Sequence, residues 1–209
     1  MKKLCLFAAA LAFSGPVCAA TIDFETTSGG PVADGTNIGG VLFSTALGSG
    51  LQIGNYAPQT IGKGLLVEND NNGNYLKGLI TGGATFLQLS FGNDDPIFTN
   101  VGDLAMLKLY SGAQLVGTVS VLLNRDDVMN QTISYSGAFD NFSFAYTNAQ
   151  GSPFTGGGNA LTGLIEAVDN VTYFKAAVPE PATWAFMLAG MGLVGGVLRR
   201  ERKRAITIS

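Results

Sequence analysis

The stretch ATFLQLSF, residues 84–91, decides the fold. Leu87, Leu89 and Phe91 fall on one side of an extended chain, and Phe86, Gln88 and Ser90 on the other. A period of two marks a half-buried β-strand, because successive side chains of an extended backbone point to opposite faces. The pattern continues outward from this stretch. LAMLKLY (104–110) sets Ala105, Leu107 and Leu109 against Met106, Lys108 and Tyr110, and LVGTVSVLL (115–123), QTISY (131–135), NFSFAY (141–146) and NVTYF (170–174) repeat it. Asn-Gly, Gly-Gly and Asp-Gly steps interrupt the chain roughly every ten residues. No long stretch carries a helical period. Many short strands with regular turns predict an all-β, antiparallel two-sheet sandwich, jelly-roll-like, of roughly eight to ten strands. It should occupy residues 21–178, a length that supports one core but not comfortably two. GSPFTGGGN (151–159) reads as a long loop within that domain, and NDNNGN (69–74) either as a second cation loop, though without EF-hand spacing or its terminal Glu, or equally as a tight exposed hairpin.

Residues 1–20, MKKLCLFAAALAFSGPVCAA, are not part of the sandwich. Lys2 and Lys3 precede an apolar run, and small residues end it, the layout of a secretory signal peptide cut by signal peptidase after Ala19 or Ala20. A lipoprotein would need Cys18 as its first mature residue, which Pro16 and Val17 fit badly. Both cysteines, Cys5 and Cys18, lie in this leader, so the exported domain has no disulfide and no thiol nucleophile. The sequence contains no histidine, which removes the usual general base and the commonest transition-metal ligand. There is no G-x-S-x-G elbow and no S-x-x-K, so the many hydroxyls lack an activating base. A non-catalytic protein is expected.

Within residues 21–178, thirteen Asp and Glu face five basic residues, Lys63, Lys77, Lys108, Arg125 and Lys175, a formal charge of −8. That sign opposes nucleic-acid binding. It suits a hard cation held by carboxylates, and calcium is the candidate. TIDFET (21–26) and GLIEAVDNVTYF (163–174) close the two ends of the domain. If the first and last strands pair, Asp23 or Glu25 meets Glu166 or Asp169 across the gap; these four are the candidate calcium ligands. The segments DFE and VDNV resemble the structural calcium sites of extracellular carbohydrate-binding sandwiches. The bland alternative is that these acids are solvated turn formers. The doublets Asp94-Asp95 and Asp126-Asp127 invite a glycosidase reading, but adjacent acids cannot by themselves face one another across a substrate. For sugar binding, Tyr56, Tyr75 and Tyr146 are the candidate platforms, weakened by the absence of tryptophan from the domain.

The C-terminus is VPEPATWAFMLAGMGLVGGVLRRERKR, residues 178–204, followed by the tail 205–209. Pro179 and Pro181 hold an extended connector around Glu180. Residues 182–198 carry no charge and, as a helix, span roughly 25 Å, the short limit for one transmembrane helix. Trp184 sits at one edge, and Arg199, Arg200, Arg202, Lys203 and Arg204 crowd the other. Positive flanks stay cytoplasmic, so the domain should lie outside the membrane. Gly192 and Gly196 form a GxxxG spacing, consistent with helix pairing or with a weak span built for processing.

In this order, Pro-Glu-Pro, tryptophan, apolar helix and basic cluster, the segment 179–204 resembles the PEP-CTERM sorting signal. The resemblance implies an exosortase substrate: exported across the inner membrane, anchored through residues 182–198, then processed and delivered to the cell surface or medium. It also implies association with the cell envelope, exopolysaccharide or biofilm matrix. The alternative role for the sandwich is a calcium-stabilised carbohydrate-binding module.

Overall fold

The structure, a computed structural model, describes residues 19–68, 72–154, 166–175, 187–196 and 199. The chain divides into two compact units, residues 18–176 and a second formed by the two chain ends.

The larger unit holds eleven described strands: β1 (Ala19–Ile22), β2 (Gly30–Val32), β3 (Thr36–Ile38), β4 (Val41–Thr45), β5 (Leu51–Asn55), β6 (Lys63–Val67), β7 (Leu76–Gly92), β8 (Leu104–Ser111), β9 (Gln114–Leu122), β10 (Gln131–Thr147) and β11 (Glu166–Lys175). They form one hydrogen-bonded sheet in the order β2-β5-β6-β11-β7-β10-β8-β9, with β1 on β11 and β3-β4 on β7. Every strand pairing is antiparallel.

Two long strands fold this sheet into a sandwich. The first part of β7, Leu76 to Ile80, pairs with β4, whereas Ala84 to Gly92 pairs with β11. Strand β10 mirrors it: residues 131–136 pair with the later part of β7, and Asn141 to Thr147 pair with β8. Each long strand therefore belongs to one layer at its start and to the other at its end, making the corner between them. The crossing leaves a signature in burial. In β7, Leu76, Gly78 and Ile80 face the core before Gly82-Gly83, and Ala84, Leu87, Leu89 and Phe91 face it afterwards. In β10 the core positions are Ile133 and Phe139, then Phe142, Phe144 and Tyr146. The parity changes where the register slips, between Ser136 and Asn141. Gly82 and Gly83 have φ of 88° and 75°, a left-handed conformation that costs glycine little.

The core between the layers is aromatic and aliphatic. Phe91 and Phe144 have ring centroids 5.5 Å apart, and Tyr146 packs edge-on at 5.8 Å from Phe144. Each such fully buried side chain contributes about 1.5–3 kcal/mol of transfer free energy. Alternation over 84–91 is borne out, with Leu87, Leu89 and Phe91 buried and Phe86, Gln88 and Ser90 half-buried. QTISY and NFSFAY, which read as separate strands, are two parts of β10.

Three expectations need adjustment. Strand β1 begins at Ala19, so Ala19 and Ala20, expected to belong to the leader, pair with Phe174 and Tyr173; a chain starting at Thr21 would keep Thr21↔Thr172 and Ile22↔Val171. The segment 69–74 does not close a hairpin, because β6 and β7 are not neighbours; residues 69–71 lie outside the described residues. Asn74 is buried, accepting from the Leu47 amide at 3.0 Å and donating to Ser49 and Glu68 carbonyls at 3.0 and 2.8 Å. Beyond the sandwich, residues 187–196 form a helix. No helix among the described residues is long and apolar enough to cross a membrane. Of the expected transmembrane helix over 182–198, the structure describes helix only at 187–196, with 182–186, 197 and 198 outside the described residues.

Candidate functional site

The first and last strands pair as the sequence suggested, and Asp23 and Glu25 come within electrostatic reach of Asp169, three of the four candidate calcium ligands. Asp169 follows the β11–β6 pairs and lies buried at 1 % exposure; its carboxylate accepts the Asn170 amide at 2.6 Å and is also hydrogen-bonded by the Ile61 backbone. Burial pushes its carboxyl up to about 6, and the negative charges of Glu25 and Asp23 add to the rise. Asp23 and Glu25 stand just past β1 at the surface. Asp23 Oδ1 accepts the Glu25 amide at 3.2 Å, and Glu25 Oε1 accepts the Lys63 amide at 2.9 Å. Lys63 Nζ donates to the carbonyls of Glu25 and Thr27, both at 2.9 Å. Glu166 does not join them. It is fully buried at the start of β11, where Oε1 accepts the Leu76 amide at 3.3 Å. No three acidic, histidine or cysteine side chains among the described residues are arranged closely enough to hold a metal as they stand.

The two acidic doublets converge on each other, which their sequence positions did not reveal. Asp94 is fully buried; its Oδ2 accepts the Arg125 amide at 2.6 Å and its Oδ1 the Asp127 amide at 3.1 Å. Burial raises the Asp127 carboxyl, and Asp95, Asp94 and Asp126 raise it further, against the lowering effect of its hydrogen bond from Gln59. Asp94 thus serves as an acceptor that ties two loops together. The five non-glycine residues with left-handed φ among those described, Phe24, Asn93, Arg125, Asp127 and Asn170, lie within or beside these two acidic regions. For residues other than glycine that conformation costs free energy, so the surrounding contacts must enforce it.

The candidate sugar platforms separate cleanly. Tyr146 is buried in the core and its hydroxyl donates to the Gly92 carbonyl, so it offers no platform. Tyr75 lines a cleft of about 60 Å³ with Lys108, Tyr110 and Ser143. There Ser143 pairs with Lys77 on one side and Lys108 on the other, so two lysines share one row of the outer sheet face. Tyr56 is 50 % exposed and lines a hollow of about 180 Å³ with Gln59, Leu66 and Asn93. Tyr110, Gln59 and Asn93 were not among the sugar-site candidates read from the sequence; Gln59 is a near neighbour of Tyr56 in the chain, whereas the fold brings Tyr110 beside Tyr75 and Asn93 beside Tyr56.

Of the sorting residues, Arg199 is described, and it is exposed. Pro179, Glu180, Pro181, Trp184, Arg200, Arg202, Lys203 and Arg204 lie outside the described residues. Strand β11 ends at Lys175, so the motif follows the sandwich with almost no connector.

The C-terminal segment marks the chain as one with a sorting signal, which supports an exported protein. The chain carries the PEP-CTERM protein-sorting motif, matched by its family model over residues 177–203, and the motif implies recognition by an exosortase. No curated protein matches the chain. Among solved structures, the chain is similar to the enzymatically active domain of tailspike protein 4 from bacteriophage CBA120 (15 % identity, TM-score 0.36, 68 % of this chain and 21 % of that one). It is also similar to the CBM22-1 and GH10 modules of Clostridium thermocellum endo-1,4-β-D-xylanase 10B complexed with xylohexaose (12 % identity, TM-score 0.42, 77 % and 28 %). A third is CBM51 from Clostridium perfringens GH95 in complex with methyl-galactose (10 % identity, TM-score 0.30, 73 % and 99 %). The chain thus spans only about a quarter of the length of the first two structures.

Proposed function

We propose that this protein is a non-catalytic component of the cell envelope or extracellular matrix, delivered by its sorting signal and associated there with exopolysaccharide. The observation that carries the reading is the motif at 177–203, which begins two residues after the last strand of the sandwich. In this reading signal peptidase removes the leader, and residues 182–198 anchor the chain with the basic cluster on the cytoplasmic side. The exosortase then acts near Pro179 to Pro181. The absence of histidine from the sequence, and of cysteine beyond residue 18, supports a domain without chemistry of its own. Intact mass spectrometry of membrane and medium fractions from the native host tests this. A medium form ending near Pro181, without Trp184 and the arginines, is the expected result. Protein found only in membranes with Arg204 and Ser209 attached would overturn release.

A second reading, a calcium-stabilised carbohydrate-binding module, is favoured by the convergence of Asp23 and Glu25 on buried Asp169. Main-chain carbonyls and water would have to complete any calcium shell, because the three carboxylates do not form a closed set. Retention of the protein on host polysaccharide, abolished by a calcium chelator, is the expected result.

A further inference from the structure

We infer that the hollow beside Tyr56 is a subsite for one neutral pyranose ring of a polysaccharide. The inference deepens the carbohydrate-binding reading and rests on it. One edge of the Tyr56 ring rests against Gly54 of β5, so closely that a Cβ there would come within 2.4 Å of Cε2 and 3.1 Å of Cδ2. One side of the ring is thereby seated on strand backbone while half the residue remains open to solvent. A flat, fixed aromatic surface with polar groups at its margin matches a sugar ring, whose axial C–H groups form an apolar face and whose hydroxyls need partners. Gln59 and Asn93 supply amide groups at that margin. The volume, about 180 Å³, leaves room for one six-membered ring.

The loop that presents Tyr56 is held from several directions. The Tyr56 amide donates to Thr60 Oγ1 at 2.8 Å, and Thr60 Oγ1 donates to the Gly62 carbonyl at 2.8 Å. The Met129 amide donates to the Pro58 carbonyl at 3.0 Å, and Gln59 donates to Asp127. A platform fixed before binding loses little conformational entropy when the ligand arrives.

Electrostatics select the sugar class. Gln59 is bonded to Asp127, which stands within electrostatic reach of Asp94, Asp95 and Asp126. A uronate or sulfated sugar would meet the negative charge gathered around Asp127, the partner of Gln59, whereas a neutral ring would not be repelled. Any site for acidic polymers would lie instead at the Lys77–Ser143–Lys108 row.

The test uses the full chain in detergent, run through native gels containing dextran, galactomannan, barley β-glucan or alginate. Retardation by at least one neutral polymer is expected. Y56A should weaken it at least tenfold with an unchanged melting transition, and Y56F should retain most of it, since stacking does not need the hydroxyl. G54A, which lifts the ring from its seat, should weaken binding as well. Neutral-polymer binding that survives Y56A would overturn the subsite while leaving carbohydrate binding intact. Retardation by alginate alone, lost in K77Q/K108Q, would also overturn it. No retardation by any polymer would remove the carbohydrate-binding reading itself.

Discussion

The main-chain amide of Arg125 donates to Asp94 Oδ2 at 2.6 Å, and two residues on the Asp127 amide donates to Oδ1 at 3.1 Å. A single buried carboxylate therefore closes the loop after β9 onto the end of β7. Bonds from N–H to carboxylate are charge-assisted and stronger than neutral ones, and a buried donor left without a partner is costly. D94A should destabilise the domain by about 2–4 kcal/mol in urea unfolding, and D94N by less, since it keeps one acceptor oxygen. A loss below about 0.5 kcal/mol for D94A would show that the two loops hold each other by other means.

Gly78 makes a comparable contribution in the core. A Cβ at this position of β7 would lie 2.3 Å from both Cε1 and Cζ of Phe142, a buried ring on the neighbouring strand. G78A should cost about 1–3 kcal/mol through overpacking. The double variant G78A/F142L should recover part of that loss, because the smaller side chain vacates the contact. Additive losses in the double-mutant cycle would contradict this account.

How much of this could be read in the chain depended on distance along it. Alternation over 84–91 and 104–110 is local, and the structure keeps both faces as read. What could not be read is the change of parity inside β7 and β10. Each half-strand shows its own period of two, and nothing in ATFLQLSF says that Leu76 and Ile80, of opposite parity, face the same core. The glycine pair at 82–83 was visible only as a turn signal, yet it bends one continuous strand between layers. Asp23, Glu25 and Asp169 could be grouped because terminal strands pair. Glu166 could not be excluded, because its burial depends on the Leu76 amide coming from β7. The convergence of Asp94 on Asp127 likewise depends on contacts that no spacing encodes.

Asp169 gives the domain a pH dependence with a definite sign. Its carboxyl titrates near 6 in the folded protein against 3.8 for the ordinary group. The folded state holds this proton more tightly than the unfolded state. This group's contribution to stability is therefore greatest below pH 4, falls as pH rises from about 4 to 6, and is level above that. D169N should remove that slope from the difference between variant and parent unfolding curves. If calcium binds between Asp169, Glu25 and Asp23, it favours the ionised form. Millimolar calcium should then add about 1–3 kcal/mol at pH 7.5 and almost nothing at pH 4. An unfolding midpoint at pH 7.5 that ignores calcium would leave Asp169 as a buried acceptor for the Asn170 and Ile61 backbone and nothing more.

The crossing in β7 can be probed at its two glycines, because they differ in what surrounds them. Gly82 has φ of 88° and open space around its missing Cβ, whereas a Cβ on Gly83, at φ 75°, would lie 3.1 Å from the Phe139 carbonyl oxygen. Alanine at 82 meets only the backbone penalty, about 1–2 kcal/mol for a left-handed conformation. Asparagine there should cost less, since it adopts that region more readily. Alanine at 83 bears the same penalty and also pushes on β10 where its register slips, so G83A should be the more damaging of the two. Thermal unfolding of G82A, G82N and G83A gives the order directly. Equal losses at 82 and 83 would mean that β10 yields freely at Phe139, and that the bend in β7 alone does not fix where the sheet folds over.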